Sequence, residues 1–374
     1  MATKSPKDTK GISDLRNQID SIDDNLLDLI SQRVALAKQI GSAKEDSTTK
    51  NKPAVYLDPA RQSAILNRVK KYAEADPSIS EEQLCDIFTE VMSLCLNAES
   101  LINVVYLGPE GTYTQQATIK YFGKSAAAKP VGSILEVFRN VEAGHSRYGV
   151  VPIENSSEGM VSNTMDVLVT SKLKIVGEIK TPIHHCLLGH HWATSFEDVK
   201  LIISHQQSFS QCHIWLAEHM PNIEFRMENS NAHAAQLATQ TPNSAAIASE
   251  LNAKLYGLNV IAKNIEDHPD NTTRFFIIGE QETAPTGKDK TSLVIGTKNE
   301  PGSLYRLLEC FYKEQIDLTL LESHPTKMGD WKYNFFIDFY GHYQDDKVAK
   351  VMGRLKQQAS FIKLLGSYPC YVHD

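Results

Sequence analysis

Apolar positions along this chain fall into three textures. From Ser13 to Glu45, Leu15, Ile19, Ile22, Leu26, Leu29, Leu36 and Ile40 recur at steps of four and three, with one vacancy between Leu29 and Leu36. That spacing predicts a single amphipathic helix with a heptad-like seam. At about 1.5 Å per residue the helix would run about 50 Å, more than a small domain spans, which favours an intertwined pair of chains. Asp58-Pro59-Ala60-Arg61 opens a second helix to about Ala75, with Asp58 as N-cap and Pro59 at the first helical position. Ser80-Glu81-Glu82-Gln83 is a capping box that opens a third helix, with a stripe of Leu84, Phe88, Val91 and Cys95.

At Asn103 the helical period gives way to short apolar runs that end in polar or glycine-rich loops. Strand, loop and helix recur at Asn103–Leu107, Leu201–Ile203 and Ala245–Ile247, which predicts two α/β lobes facing a cleft. The lobes are expected at 103–180 with 262–280, and at 181–261. Thr283 to Lys290, with Pro285 and Gly287, reads as a linker. Beyond it come strand Ser292–Thr297, helix Ser303–Glu314, strands Leu318–Ser323 and Tyr333–Tyr340, helix Asp345–Ala359 and strand Phe361–Tyr368. This β-α-β-β-α-β order predicts a ferredoxin-like sandwich.

Charges interrupt the three helical stripes. Arg33 fills the vacancy of the first seam, Arg61 leads the stripe of Ile65, Val69 and Tyr72, and Glu99 ends the third stripe. A charge in an apolar seam is costly unless something opposite meets it. One such residue is explained by snorkelling; three in succession suggest a polar pocket inside a helical bundle. Lys44 lies three turns past Arg33 on the same face, so the two could bracket a small anion. Arg16 borders the seam about 25 Å up the axis and could serve that pocket only from an antiparallel second copy.

Composition narrows the partners. The 374 residues are 41% hydrophobic and 22% charged, with a formal net charge of −7. That argues against a nucleic-acid binder and leaves small anions in local cationic pockets. Six scattered cysteines without a CxxC pair read as reduced cytoplasmic thiols. The polar start, MATKSPKDTKG, carries no apolar leader, no run is long enough to span a membrane, and the first eleven residues read as disordered. His184, His185, His190 and His191 do not form a metal site on this reading, because neighbours on a strand face opposite ways. No cofactor or metal is expected.

Residues 13–101 resemble the all-helical class of chorismate mutase, through Arg16, Arg33, Lys44, Asp58, Arg61, Cys95 and Glu99, with Gln62 where relatives often carry glutamate. Residues 102–280 resemble prephenate dehydratase, through GPEGTYTQQA, VVPIENSSEG, HHCLL, SHQQSFSQC and TTRFFIIG. The last stretch, 291–374, resembles the ACT regulatory domain. Together they resemble the bifunctional P-proteins, with domains at 11–101, 102–280 and 291–374. The resemblance implies a multidomain fold: an all-α mutase module of three helices in an intertwined dimer, a two-lobed α/β dehydratase like periplasmic binding proteins, and an α+β ferredoxin-like ACT domain. It implies rearrangement of chorismate to prephenate, dehydration and decarboxylation of prephenate to phenylpyruvate, and feedback inhibition by phenylalanine. The implied assembly is a cytoplasmic homodimer, with higher association left open.

The resemblance also carries site residues. In the mutase, Arg16 would come from the partner, and Lys44 and Glu99 would hydrogen-bond the breaking ether oxygen. Glu99 can donate only when protonated, so activity is expected to fall as pH rises. In the dehydratase, Thr273 would assist the leaving hydroxide. Thr112, Glu154, Asn155, Ser156, Ser204, Gln207, Ser208 and Arg274 would contact substrate, with Arg274 holding a carboxylate or supporting its loop. Asn299, Gly302, Ser303, Leu304, Glu322 and Ser323 would form the phenylalanine site, with His324 where relatives carry arginine. Two alternatives remain: a dehydratase whose helices only dimerise, and a non-catalytic anion- and amino-acid-binding protein.

Overall fold

The computed structural model of the chain describes residues 6–47, 55–76, 78–297, 300–325 and 333–371, with side chains from residue 11 onward. Helix α1 (Pro6–Asp46) starts within the stretch expected to be disordered. Proline suits a first helical turn, and only Gly11 and Gly41 weaken the run that follows. Helices α2 (Pro59–Ala75) and α3 (Glu81–Glu99) begin at the expected caps, where Asp58 accepts from the Arg61 amide at 3.0 Å and Ser80 from the Gln83 amide at 3.4 Å. Both α1 and α2 pack on α3. The seam of α1 nevertheless stays open: Leu15, Ile19, Ile22, Leu26, Leu29, Leu36 and Ile40 are each 50–60% exposed.

The first lobe runs through β1 (Asn103–Leu107), α4 (Tyr113–Phe122), β2 (Ala127–Val131), α5 (Ile134–Glu142), β3 (Tyr148–Asn155), β4 (Gly159–Met160), α6 (Ser162–Thr170) and β5 (Lys174–Pro182). The second follows with β6 (Cys186–Gly189), β7 (Leu201–Ser204), α7 (Gln206–Gln211), α8 (His213–His219), β8 (Glu224–Met227), α9 (Asn231–Ala238), β9 (Ser244–Ala248), α10 (Glu250–Tyr256) and β10 (Asn259–Lys263). The chain then returns through β11 (Thr272–Gly279). Sheet order is β2-β1-β3-β11-β5 in the first lobe, with β4 on β3, and β10-β6-β9-β7-β8 in the second. Residues 183–185 and 264–271 therefore join the lobes at the base of the cleft.

The C-terminal sheet has order β13-β14-β12-β15, built from β12 (Asp289–Gly296), α11 (Ser303–Lys313), β13 (Leu318–Pro325), β14 (Tyr333–Tyr340), α12 (Asp346–Gln358) and β15 (Phe361–Pro369). All its pairings are antiparallel, as a ferredoxin-like sandwich requires. The expected linker is corrected here: Thr283, Asp289 and Lys290 are buried, and the last two already belong to β12. Packing explains this. Val294, Phe336, Leu365 and Tyr368 share a core with Val151, Ile153, Phe276 and Ile278 of the first lobe. At Gly366 a Cβ would come within 2.2 Å of the Ile175 carbonyl oxygen, so only glycine allows β15 to lie this close to β5. The opposite face of the first-lobe sheet receives Tyr56, Leu57 and Ile102, beside the helical module. No described helix is long and apolar enough to cross a membrane.

Candidate active sites

Three helices enclose a cavity of about 450 Å³. Arg33, Lys44, Asp58, Arg61, Gln62, Cys95 and Glu99 line it together. Arg33 Nη1 donates to Cys95 Sγ at 2.8 Å and to the Val91 carbonyl at 3.1 Å. Lys44 Nζ donates to Glu99 Oε2 at 2.8 Å and to the Tyr56 carbonyl at 3.0 Å. Arg33 and Glu99 thus meet partners, and Arg61 lines the same cavity. Gln62 Nε2 donates at 3.3 Å to the Tyr121 carbonyl, and Phe122 lines one wall, so the first lobe helps close this site. Arg16 is not among the lining residues.

A second cavity of about 560 Å³ lies between the lobes and holds Asn155, Gln207, Ser208 and Thr273. Asn155 Oδ1 accepts from the amides of Ser157 at 3.0 Å and Glu158 at 3.2 Å, which fixes the carboxamide. Its Nδ2 must then donate to Thr273 Oγ1 at 2.8 Å. With that oxygen accepting, the threonine proton is not used in this contact, and Thr273 lines the cleft. Asn231, which the sequence gave no reason to single out, gathers the Ser204 and Ser208 hydroxyls and the His205 amide on its Oδ1 at 3.0, 3.0 and 3.1 Å. Tyr113, His185 and Gln211 also line the cleft and were not foreseen. Burial pushes the His185 imidazole below its usual range, against the pull of Gln211 and Glu266, and pushes the Tyr113 phenol up.

Other expected contacts stand elsewhere. Thr112 caps α4, accepting from the Gln115 amide at 3.4 Å and donating to the Leu107 carbonyl at 3.2 Å. Ser156 pins the end of β11 by accepting from the Thr272 amide at 3.0 Å. Ser204 is fully buried behind Asn231. Glu154 and Arg274 pair in register and lie outside the cleft lining. Successive strand side chains alternate, so with Thr273 in the cleft Arg274 turns to the C-terminal sheet. There its Nε donates to Glu178 Oε2 at 2.7 Å, Nη2 to Tyr368 Oη at 3.0 Å, and Nη1 lies 2.7 Å from Asp338 Oδ2. Burial works against this charge, but Asp338, Tyr368 and Glu178 outweigh it and raise the guanidinium's pKa further. Lys290 Nζ donates to Glu178 Oε1 at 2.9 Å.

The histidine pairs also differ from expectation. None lies on a strand, and the rings of His190 and His191 sit 4.3 Å apart rather than facing opposite ways. Among the described residues no three His, Cys, Asp or Glu side chains gather as a metal site. In the C-terminal domain Gly302, at φ +78°, caps α11, and Ser303 and Leu304 form its first turn. Arg306 Nη2 donates to Ser303 Oγ at 3.1 Å, a neighbouring cation the sequence gave no cue to. Glu322 and Ser323 lie on β13, and His324 Nε2 is 2.9 Å from Asp166 Oδ1 on α6. Asn299 lies outside the described residues.

The chain matches the family model for chorismate mutase type II over residues 15–100 and that for prephenate dehydratase over 104–283. It is 44% identical to the bifunctional chorismate mutase/prephenate dehydratase of Stutzerimonas stutzeri, over 95% of this chain and 96% of that protein. The chain belongs to this bifunctional family. The helical module is its mutase and the two-lobed unit its dehydratase, so both activities reside in one polypeptide. A crystal structure of prephenate dehydratase from Arthrobacter aurescens, in complex with L-Phe, is 34% identical, with a TM-score of 0.67 over 72% of this chain and 90% of that one. A quorum-quenching acylase, GqqA, is similar at 27% identity and a TM-score of 0.66, over 72% of this chain and 98% of that one.

Proposed function

We propose that the three-helix cavity rearranges chorismate to prephenate and that the interlobe cleft converts prephenate to phenylpyruvate, at the residues named above. In the first site Arg33 and Arg61 hold the substrate carboxylates, and Lys44 and Glu99 hydrogen-bond the ether oxygen as it gains charge. No covalent step is needed; a fixed compact conformer and well-placed cations lower the barrier. In the second site the ring C–O bond and the ring–carboxylate bond break together. The pair from the lost carboxylate restores the aromatic ring, carbon dioxide departs, and hydroxide takes a proton through Thr273 and leaves as water. The observation that carries this reading is the Asn155–Thr273 hydrogen bond, in which the threonine oxygen accepts, so that its own proton stays available to the cleft it lines.

The open α1 seam supports a homodimer in which antiparallel copies of α1 pair and Arg16 of one enters the cavity of the other. The N-terminus of α11 suits an amino-acid carboxylate and Glu322 its ammonium, which supports phenylalanine as feedback inhibitor at the C-terminal domain. By linkage the inhibitor binds the less active state more tightly. Six free cysteines support a reducing, cytoplasmic setting. The test follows prephenate and phenylpyruvate separately from chorismate, with and without phenylalanine. Both products are expected, with phenylpyruvate suppressed by phenylalanine. Consumption of supplied prephenate but not of chorismate would reduce the helices to a dimerisation device. Turnover of neither would leave a binding protein.

A further inference from the structure

Tyr113, His185 and Gln211 form a hydrogen-bonded chain along the cleft wall, from the first turn of α4 through the segment joining the lobes to the last residue of α7. Tyr113 Oη is 2.8 Å from the His184 carbonyl oxygen and 3.0 Å from His185 Nδ1. His185 Nε2 is 2.9 Å from Gln211 Oε1, and His185 is 1% exposed. Donor counting fixes the arrangement. The phenol has one proton, and the carbonyl can only accept it. The phenol oxygen is then an acceptor toward Nδ1, which must carry hydrogen. The charged groups nearby are Glu266, whose carboxylate is committed to His184 Nδ1 at 2.7 Å and the His185 amide at 2.8 Å, and His184 itself. Burial keeps the ring neutral, with one proton in all, so Nε2 presents a bare lone pair.

An amide oxygen against that lone pair would repel it. Rotating the Gln211 carboxamide by half a turn exchanges oxygen and nitrogen in place. The NH₂ group then donates to Nε2 and the carbonyl oxygen turns toward the cleft. Resting on the dehydratase reading above, we propose that His185 is a positioning residue for that reaction, which fixes Gln211 as a hydrogen-bond acceptor facing the substrate. The substrate hydroxyl keeps its own hydrogen, and by donating it to the Gln211 oxygen is held in one orientation, with a lone pair of its oxygen turned to the threonine proton that assists its departure as water. A buried histidine that merely filled space would make no such demand on Gln211.

The experiment uses the full chain with prephenate. His185→Asn retains a donor toward Tyr113 but cannot reach Gln211. It is expected to lower kcat at least about tenfold, the kinetic equivalent of one misplaced hydrogen bond, with KM changed less than about threefold and turnover of chorismate unaltered. Gln211→Leu is expected to give a similar loss, and the double variant no further loss, because both act through one contact. Independent losses that multiply, or an unchanged kcat in His185→Asn, would overturn the proposal. Nitrogen-15 spectra of histidine in the unmodified protein, with His185→Asn identifying the signal, provide a readout separate from activity. A neutral Nδ1–H tautomer is expected near pH 7.5; an Nε2–H tautomer or an imidazolium would overturn the assignment. Failure of the unmodified protein to consume prephenate would instead reject the functional reading, which keeps the two outcomes apart.

Discussion

Asp338→Asn should destabilise this protein far more than its position on an ordinary strand suggests. Arg274, Lys290, Glu178 and Asp338 form a balanced buried quartet, with side chains at most 7% exposed. Neutralising Asp338 leaves one positive charge in excess within the quartet, offset only in part by Glu154, which is 37% exposed and 3.6 Å from Arg274. At 2.7 Å and an effective dielectric of about 20, the Coulomb energy of its pair with Arg274 is about 6 kcal/mol. Part is offset by the easier desolvation of a neutral side chain, and removing one partner of such a pair typically costs about 3–5 kcal/mol. If the chain of 374 residues unfolds as one unit, that is a fall of about 5 °C in the apparent Tm. Differential scanning calorimetry of Asp338→Asn measures it. Arg274→Met with Asp338→Leu removes both charges, leaves Glu178 matched to Lys290, and should recover most of the loss. A shift under about 2 °C for the single variant, or a double variant worse than either single, would refute the argument.

Three further outcomes follow from the two active sites. Thr273→Ala should lower phenylpyruvate formation at least about a hundredfold while prephenate formation continues, and Thr273→Ser should restore part of it, which product-resolved turnover of chorismate will read. Glu99→Ala should lower prephenate formation from chorismate, and Glu99→Gln, which keeps a donor at this position, should restore part of it; an alanine variant as active as the parent would remove Glu99 from the role. His185 has a folded-state pKa lowered by burial against about 6.5 in the unfolded chain, so the unfolded state binds the extra proton. Its contribution is present above pH of about 6.5 and is lost as pH falls through the folded value; a Tm series from pH 8 to pH 5 should be flatter for His185→Gln than for the parent.

Much of this architecture was legible in the sequence because it is periodic or punctuated. Arg33 and Glu99 could be found because a charge in an apolar stripe contradicts its own neighbours. The caps at Asp58 and Ser80 were legible because capping is local. What failed was what depends on direction or on distant chain. Thr273 and Arg274 are adjacent in a motif, yet the strand turns them to opposite faces, and the register shift after Arg274 is set by β3, more than a hundred residues earlier. The Tyr113–His185–Gln211 chain joins three segments with no common period. Pro285 and Gly287 carry the marks of a free linker, but the residues after them are buried by packing between domains that composition does not encode. The histidine pairs were read as strand residues because no local signal marks the loops that hold them.

Glu178 has a consequence for how such proteins can be rearranged. Its carboxylate accepts from Arg274 of the dehydratase, from Lys290 at the entry to the C-terminal domain, and from the Tyr371 amide at its exit, the last at 3.1 Å. The C-terminal domain is therefore not an exchangeable cassette. A chimera that joined this dehydratase to another protein's regulatory domain would need a cation at 290, a carboxylate at 338, a phenol at 368 and a glycine at 366 to fit the seam. Recombination points chosen by the apparent linker at 283–290 would cut through the joint itself, whereas an exchange made near residue 101 would leave that joint whole.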